Sequence, residues 1–223
     1  MSDEDGFKEA VKKINILAQE AQKNGQEMQN VVIELNSDIL LSKPVDGKTM
    51  IQFNEGANLK ILGNRHTISI DDKLKPLPHD TPYNLFSIVN TKMILEDVAL
   101  DTNGNEKLYT YALELSNNSQ LKIEDGTTIT GTYAMNYAPI VCYDSSVIMN
   151  GGSICHNTLH AYSIAAGAVK LVGVNQSSTF EMNGGEIYDN SIDAQDDDDY
   201  PQGGAISTMG TRHSSSIIIN GGK

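Results

Sequence analysis

One short motif recurs along this chain at unequal intervals, and that irregularity limits what the chain can fold into. Residues 145–152 read Ser-Ser-Val-Ile-Met-Asn-Gly-Gly, 177–185 read Ser-Ser-Thr-Phe-Glu-Met-Asn-Gly-Gly, and 215–222 read Ser-Ser-Ile-Ile-Ile-Asn-Gly-Gly. Weaker copies stand at 119–126, 91–97, 58–63 and 32–36. Aligned on Leu35, Ile61, Leu95, Ile123, Met149, Met182 and Ile219, the copies are spaced 26, 34, 28, 26, 33 and 37 residues apart. Helical repeats hold a stricter length and need paired amphipathic helices, which are missing here. A solenoid of strands tolerates variable loops as long as the strand register is kept.

Within each copy the apolar residues alternate, as in Leu121/Ile123, Val147/Met149, Phe180/Met182 and Ile217/Ile219. Period two sends these side chains to one face of a strand, where they can point inward and stack coil on coil. Seven rungs about 4.8 Å apart make a rod core of roughly 30 Å. Asn tolerates left-handed backbone and Gly adopts it freely, so Asn-Gly-Gly reads as a bend. Stacked bends would place Asn150, Asn183 and Asn220 above one another as an amide ladder. Composition agrees: 22 Ile suit pleated surfaces, whereas 20 Asn and 19 Gly suit turns. Second strands are expected at 111–115, 138–142, 162–166 and 203–207.

The N-terminus reads differently. Phe7, Ala10, Val11, Ile14, Leu17, Ala18 and Ala21 fall at steps of three and four, one stripe of a helix. Ser2 with Asp5 resembles a capping box, and Asn24-Gly25 is a C-terminal stop. Residues 1–29 are therefore expected to form a capping helix over the open end of a solenoid spanning 30–223. The chain stops inside a repeat unit at Lys223, which reads as a C-terminally truncated solenoid.

The expected fold class is all-β: a right-handed single-stranded parallel β-helix of about seven coils with an N-terminal capping α-helix. Ile187-Tyr188-Asp189-Asn190 followed by Gly203-Gly204-Ala205-Ile206 is similar to the paired repeats of polymorphic outer-membrane proteins. Ile154-Cys155-His156-Asn157 matches the first half of that pair. The chain thus resembles the bacterial surface-adhesin branch of the pectate-lyase-like superfamily. The resemblance implies export, display on a bacterial cell surface, and binding of host or neighbouring-cell glycans or proteins. The acidic start at Asp3-Glu4-Asp5 is unlike a signal peptide, so export would require a leader outside this sequence.

A formal net charge of −13 argues against nucleic acid as a partner, and no apolar run is long enough to insert into a membrane. The superfamily also contains polysaccharide lyases and glycoside hydrolases, so catalysis is an alternative, as is a passive spacer. Asp71-Asp72 is the only isolated Asp-Asp pair, Arg65 and Arg212 are the only arginines, and the other hydrolase signatures are absent. Glu181, Glu186 and Asp189 are the carboxylates that adjacent strands could pair for glycoside hydrolysis.

Three further features carry chemistry. Tyr111, Tyr133, Tyr137, Tyr143, Tyr162 and Tyr188, with Tyr109, gather in the middle coils, where they fit either ordinary strand positions or an aromatic ledge for sugar rings. Asp193, Asp196, Asp197, Asp198 and Asp199 offer hard oxygen ligands suited to Ca²⁺, although a solvated loop explains them equally; no other cofactor is expected. Cys142 and Cys155 read as two free buried thiols or a single bridge. The variable, partner-facing elements are expected at 71–86, 101–111 and 191–202.

Overall fold

The computed structural model describes residues 1–161, 166–194, 204–210 and 212–223. Helix Glu4–Lys23 opens the chain with Asp3 as its N-cap, the Asp3 carboxylate accepting from the Gly6 N–H at 2.7 Å. The capping role therefore falls to Asp3 rather than to Ser2 and Asp5. At the other end Gly25, at φ 66°, donates to Gln22 O and Gln26 donates to Ala21 O, a Schellman closure. Phe7, Val11, Ile14 and Ala18 form the buried stripe. Leu17 does not join it and stays 46% exposed.

After the helix, apart from one short 3-10 turn at Pro78–Asp80, the elements among the described residues are short strands, and they stack in largely parallel ladders. The first sheet holds seven rungs: Val31–Glu34, Asn58–Leu62, Lys92–Glu96, Gln120–Ile123, Ser146–Met149, Thr179–Met182 and Ser216–Ile219. The second holds six, from Ile39–Leu41 to Glu186–Tyr188. A third stack runs Thr49–Phe53, Tyr83–Val89, Thr110–Ser116, Ile140–Tyr143, Val169–Gly173 and Ile206–Gly210. The chain is a parallel β-solenoid. The first sheet carries seven rungs, but the solenoid makes about five turns rather than the expected seven.

In the later coils a short fourth stack appears, formed by Tyr133–Met135, Thr158–Ala161 and Ser191–Ala194. One antiparallel pair, Tyr133 with Thr110, ties it to the third stack. The strand expected at 162–166 falls almost wholly outside the described residues; the third stack continues from Ile140–Tyr143 to Val169–Gly173. Residues 162–165 and 195–203 lie outside the described residues.

The inward columns follow the alternation. Ile33, Ile61, Leu95, Ile123, Met149 and Met182 are consecutive Cα partners, and all are buried. The first anchor is thus Ile33, two residues before the expected Leu35. Each fully buried side chain of this size contributes about 1.5–3 kcal/mol relative to exposure. Ile217 and Ile219 continue the columns in register but remain 42% and 58% exposed, because no described rung lies over them.

Asn-Gly-Gly divides its labour among its three residues, with the left-handed bend at a glycine and not at the asparagine. The left-handed residue is the second glycine, at φ 72° in Gly152 and 83° in Gly185; the asparagines keep ordinary φ. At the first glycine a Cβ would lie 2.4 Å from Asn150 O at Gly184 and 2.5 Å from Asn183 O at Gly221, so close rung contact excludes any side chain. The asparagine amides bond along the stack: Asn183 Nδ2 donates to Asn150 Oδ1 at 3.1 Å, and Asn220 Nδ2 to Asn183 Oδ1 at 2.8 Å.

The helix closes one end of the rod. Phe7 stacks on Phe86 with ring centroids 6.3 Å apart. Asn15 Nδ2 donates to Gln52 O at 3.0 Å, and Asn15 Oδ1 accepts from the Asn54 N–H at 2.9 Å, covering backbone groups at the end of the first third-stack strand and just beyond it. Glu4 accepts from both the N–H and the hydroxyl of Ser42. Burial raises the Glu4 pKa, but bonds from Lys8, Ser42 and Lys43 outweigh it and hold the carboxyl below its ordinary value. No helix among the described residues is long and apolar enough to cross a membrane.

Candidate functional site: a tyrosine-lined recess

Strand Thr110–Ser116 buries Leu113 and Leu115 and leaves Glu114 partly exposed. The N–H groups of Ala112 and Leu113 both donate to Pro139 O, a bulge that breaks the alternation and brings Tyr111 to the side of Glu114. The Tyr111 hydroxyl donates to Glu114 Oε2 at 2.6 Å. Its ring stacks on Tyr137, with centroids 4.9 Å apart and planes inclined by 28°. Tyr111 itself is buried, so it supports Tyr137 from beneath instead of forming part of an exposed ledge.

Beside this pair is a recess of about 400 Å³. Tyr137, Met135 and Asn136 form one wall, and Val141, Tyr143 and Lys170 supply the third-stack side. His79, Asp80 and Pro82, from the 71–86 excursion, form the rim. That excursion is held by Tyr83, whose hydroxyl donates to Lys75 O at 2.8 Å. Val141 and Lys170 are Cα partners on adjacent rungs, which is how residues far apart in the chain come to share one wall. Lys170 Nζ donates to Asn136 O at 3.3 Å.

The electrostatics favour neutral hydroxyls. Burial, followed by the nearby Glu114 charge, pushes Tyr111 well above the ordinary tyrosine value. Tyr143 is raised by burial, then by Glu114 and Tyr137. Burial pulls the Lys170 ammonium down from its usual value. At neutral pH Tyr111 and Tyr143 therefore keep their O–H groups for hydrogen bonding.

Tyr133 makes its own ring contacts, 5.7 Å from Tyr109 and 4.7 Å from His160 between centroids. Tyr188 is separate: it lies on the second sheet, with its ring edge-on to His156 at 5.6 Å. Tyr162 falls outside the described residues. The structure therefore gathers Tyr111, Tyr137 and Tyr143, while Tyr133 pairs with Tyr109 and His160 and Tyr188 lies apart. It adds Lys170, Met135 and the 71–86 rim, for which the sequence offered only an expected variable loop.

Among the aspartates considered for Ca²⁺, Asp193 is an exposed residue of strand Ser191–Ala194 and the register partner of His160. Asp196, Asp197, Asp198 and Asp199 lie outside the described residues. Among the described residues no three His, Cys, Asp or Glu side chains are grouped as metal ligands. Glu181 lies on the first sheet, where its carboxylate accepts from Asn220 at 3.3 Å. Glu186 lies on the second sheet, 3.6 Å from Lys223, and Asp189 follows in a turn at φ 50°. Both thiols are free and buried, and burial pushes Cys142 up to about 12.

Comparison with protein-family models, with curated proteins and with solved structures finds no match for this chain.

Proposed function

We propose that this chain is a non-catalytic binding module of an extracellular bacterial surface protein, adhesin-like in action, and that the tyrosine recess is where it holds a glycan. The observation that carries the reading is the Tyr111–Tyr137 stack beside Tyr143 at the edge of a recess of about 400 Å³. Volumes of this order suit small ligands, and aromatic faces pack against the apolar face of a sugar ring. Tyr111 is locked by Glu114, so the Tyr137 ring is presented with little freedom left to lose on binding. The location of Glu181 and Glu186 on different sheets favours binding over glycoside hydrolysis, which needs two carboxylates facing one bond. The placement on a bacterial surface rests on the repeat resemblance of 154–157 and 187–206.

The test is a glycan and mucin array probed with the full chain, followed by Tyr137→Ala and Tyr143→Ala. Specific binding without released oligosaccharide, weakened about tenfold by Tyr137→Ala, is the expected result. Release of oligosaccharide, or binding indifferent to both substitutions, would refute it.

A further inference from the structure

A second recess, of about 390 Å³, lies where the third stack turns into the first sheet beside the C-terminal end of the helix. Its lining is unusual in chemistry rather than size. Six neutral amides face it: Gln22, Gln26, Asn58, Asn90, Asn118 and Gln120. Met28 and Ala57, both buried, supply its apolar contacts. The two charged groups present, Glu27 and Lys92, are paired with each other at 2.8 Å.

The rungs build this lining. Asn58, Lys92 and Gln120 are consecutive Cα partners at the starts of three first-sheet strands, so their side chains rise as a column about 4.8 Å per step. Asn90 and Asn118 come two residues earlier in their coils, with φ of 44° and 66°. Left-handed backbone accounts for asparagine at those two positions. It does not account for Gln22, Gln26 and Gln120, which lie on the helix, in the following segment and on a strand.

Two of the amides are fixed: Asn58 Nδ2 donates to Met28 O at 3.2 Å, and Asn90 Nδ2 to Glu55 Oε1 at 3.2 Å. The side chains of Gln22, Gln26, Asn118 and Gln120 make no hydrogen bond among the described residues. Gly56 helps keep the space clear: its φ is 86°, and a Cβ there would lie 2.7 Å from Gln22 Nε2.

An amide offers an acceptor oxygen and two donors in one plane, which matches the paired donor and acceptor character of vicinal hydroxyls. An anionic or cationic ligand would find no free counter-charge, because Lys92 and Glu27 neutralise each other. We propose that this amide-lined recess binds a neutral saccharide, independently of the tyrosine recess.

The experiment is saturation-transfer NMR on the full chain with maltotriose, cellotriose, triacetylchitotriose and lactose, followed by titration of any that bind. The comparison is with the exposed double variant Gln22→Ala/Gln120→Ala and with Tyr137→Ala. We expect at least one neutral sugar to bind, its affinity to fall about tenfold in the double variant and to hold in Tyr137→Ala. No saturation transfer from any of the four sugars overturns the proposal. So does an affinity unchanged in the double variant, and a loss confined to Tyr137→Ala would assign the sugar to the tyrosine recess instead.

Discussion

Asn157 Nδ2 donates to Asn190 Oδ1 at 2.8 Å across adjacent coils, in a column that runs inside the solenoid instead of on its surface. Asn157 is fully buried, and its Oδ1 accepts from the Thr132 N–H at 3.0 Å. Its Nδ2 also reaches Cys155 O at 2.9 Å. Asn157→Ala leaves several buried partners unmet and should cost about 1–3 kcal/mol. Asn183→Ala removes a link of the exposed ladder and should cost about 0.5–1 kcal/mol. Denaturant unfolding of both variants checks the ranking, and a larger loss at Asn183 would reverse the assignment of the inner column as the stronger one.

Asp144 should make stability depend on acid. Burial alone raises its pKa, but N–H bonds from Val174, Gln176 and Asn175 outweigh it and hold the carboxyl below its ordinary value of 3.8. A depressed folded pKa adds stability above the unfolded pKa and loses it as pH falls through the folded one. Melting temperature should therefore drop as pH falls below 3.8, and less steeply in Asp144→Asn. Parallel melts between neutral and strongly acidic pH measure the difference, and identical slopes would remove Asp144 as a source of it.

Alternation and punctuation made the solenoid legible, because a strand motif with fixed register and variable loops has few other solutions. Register itself was less legible. Leu35 and Ile33 both face inward, so a two-residue slip costs nothing in the pattern, and only the pairing with Ile61 separates them. Ser119, Ser145 and Ser178 belong to the repeats and form a buried ladder, with the Ser119 N–H on Ser145 Oγ at 3.1 Å, that the strand pattern does not announce. Serine before a strand is so ordinary that composition hides it. The tyrosine recess was half legible for a similar reason: the rings cluster in sequence, but the Val141–Lys170 partnership exists only once the coils are in register.

The thiols should be silent in the folded chain. Both Cys142 and Cys155 are shielded from reagent by burial, and Cys142, with its pKa pushed up to about 12, forms almost no thiolate at mild pH. A disulfide-exchange reagent such as Ellman's at about pH 8 should label neither in buffer and both in denaturant. Rapid labelling of one thiol in buffer would mean that its coil opens locally.

The N-terminal helix should govern solubility as well as stability. Phe7→Ala removes a fully buried ring from its stack on Phe86 and should cost about 3–5 kcal/mol. Removing residues 1–24 goes further, because Gln52 O and Asn54 N–H then lose Asn15 and the first strands present an open edge. Open strand edges template pairing with other chains. Light scattering should therefore rise with concentration for the shortened chain and stay flat for Phe7→Ala at temperatures where that variant remains folded. Equal scattering from the shortened and intact chains would mean that the helix packs on the solenoid without protecting its edge.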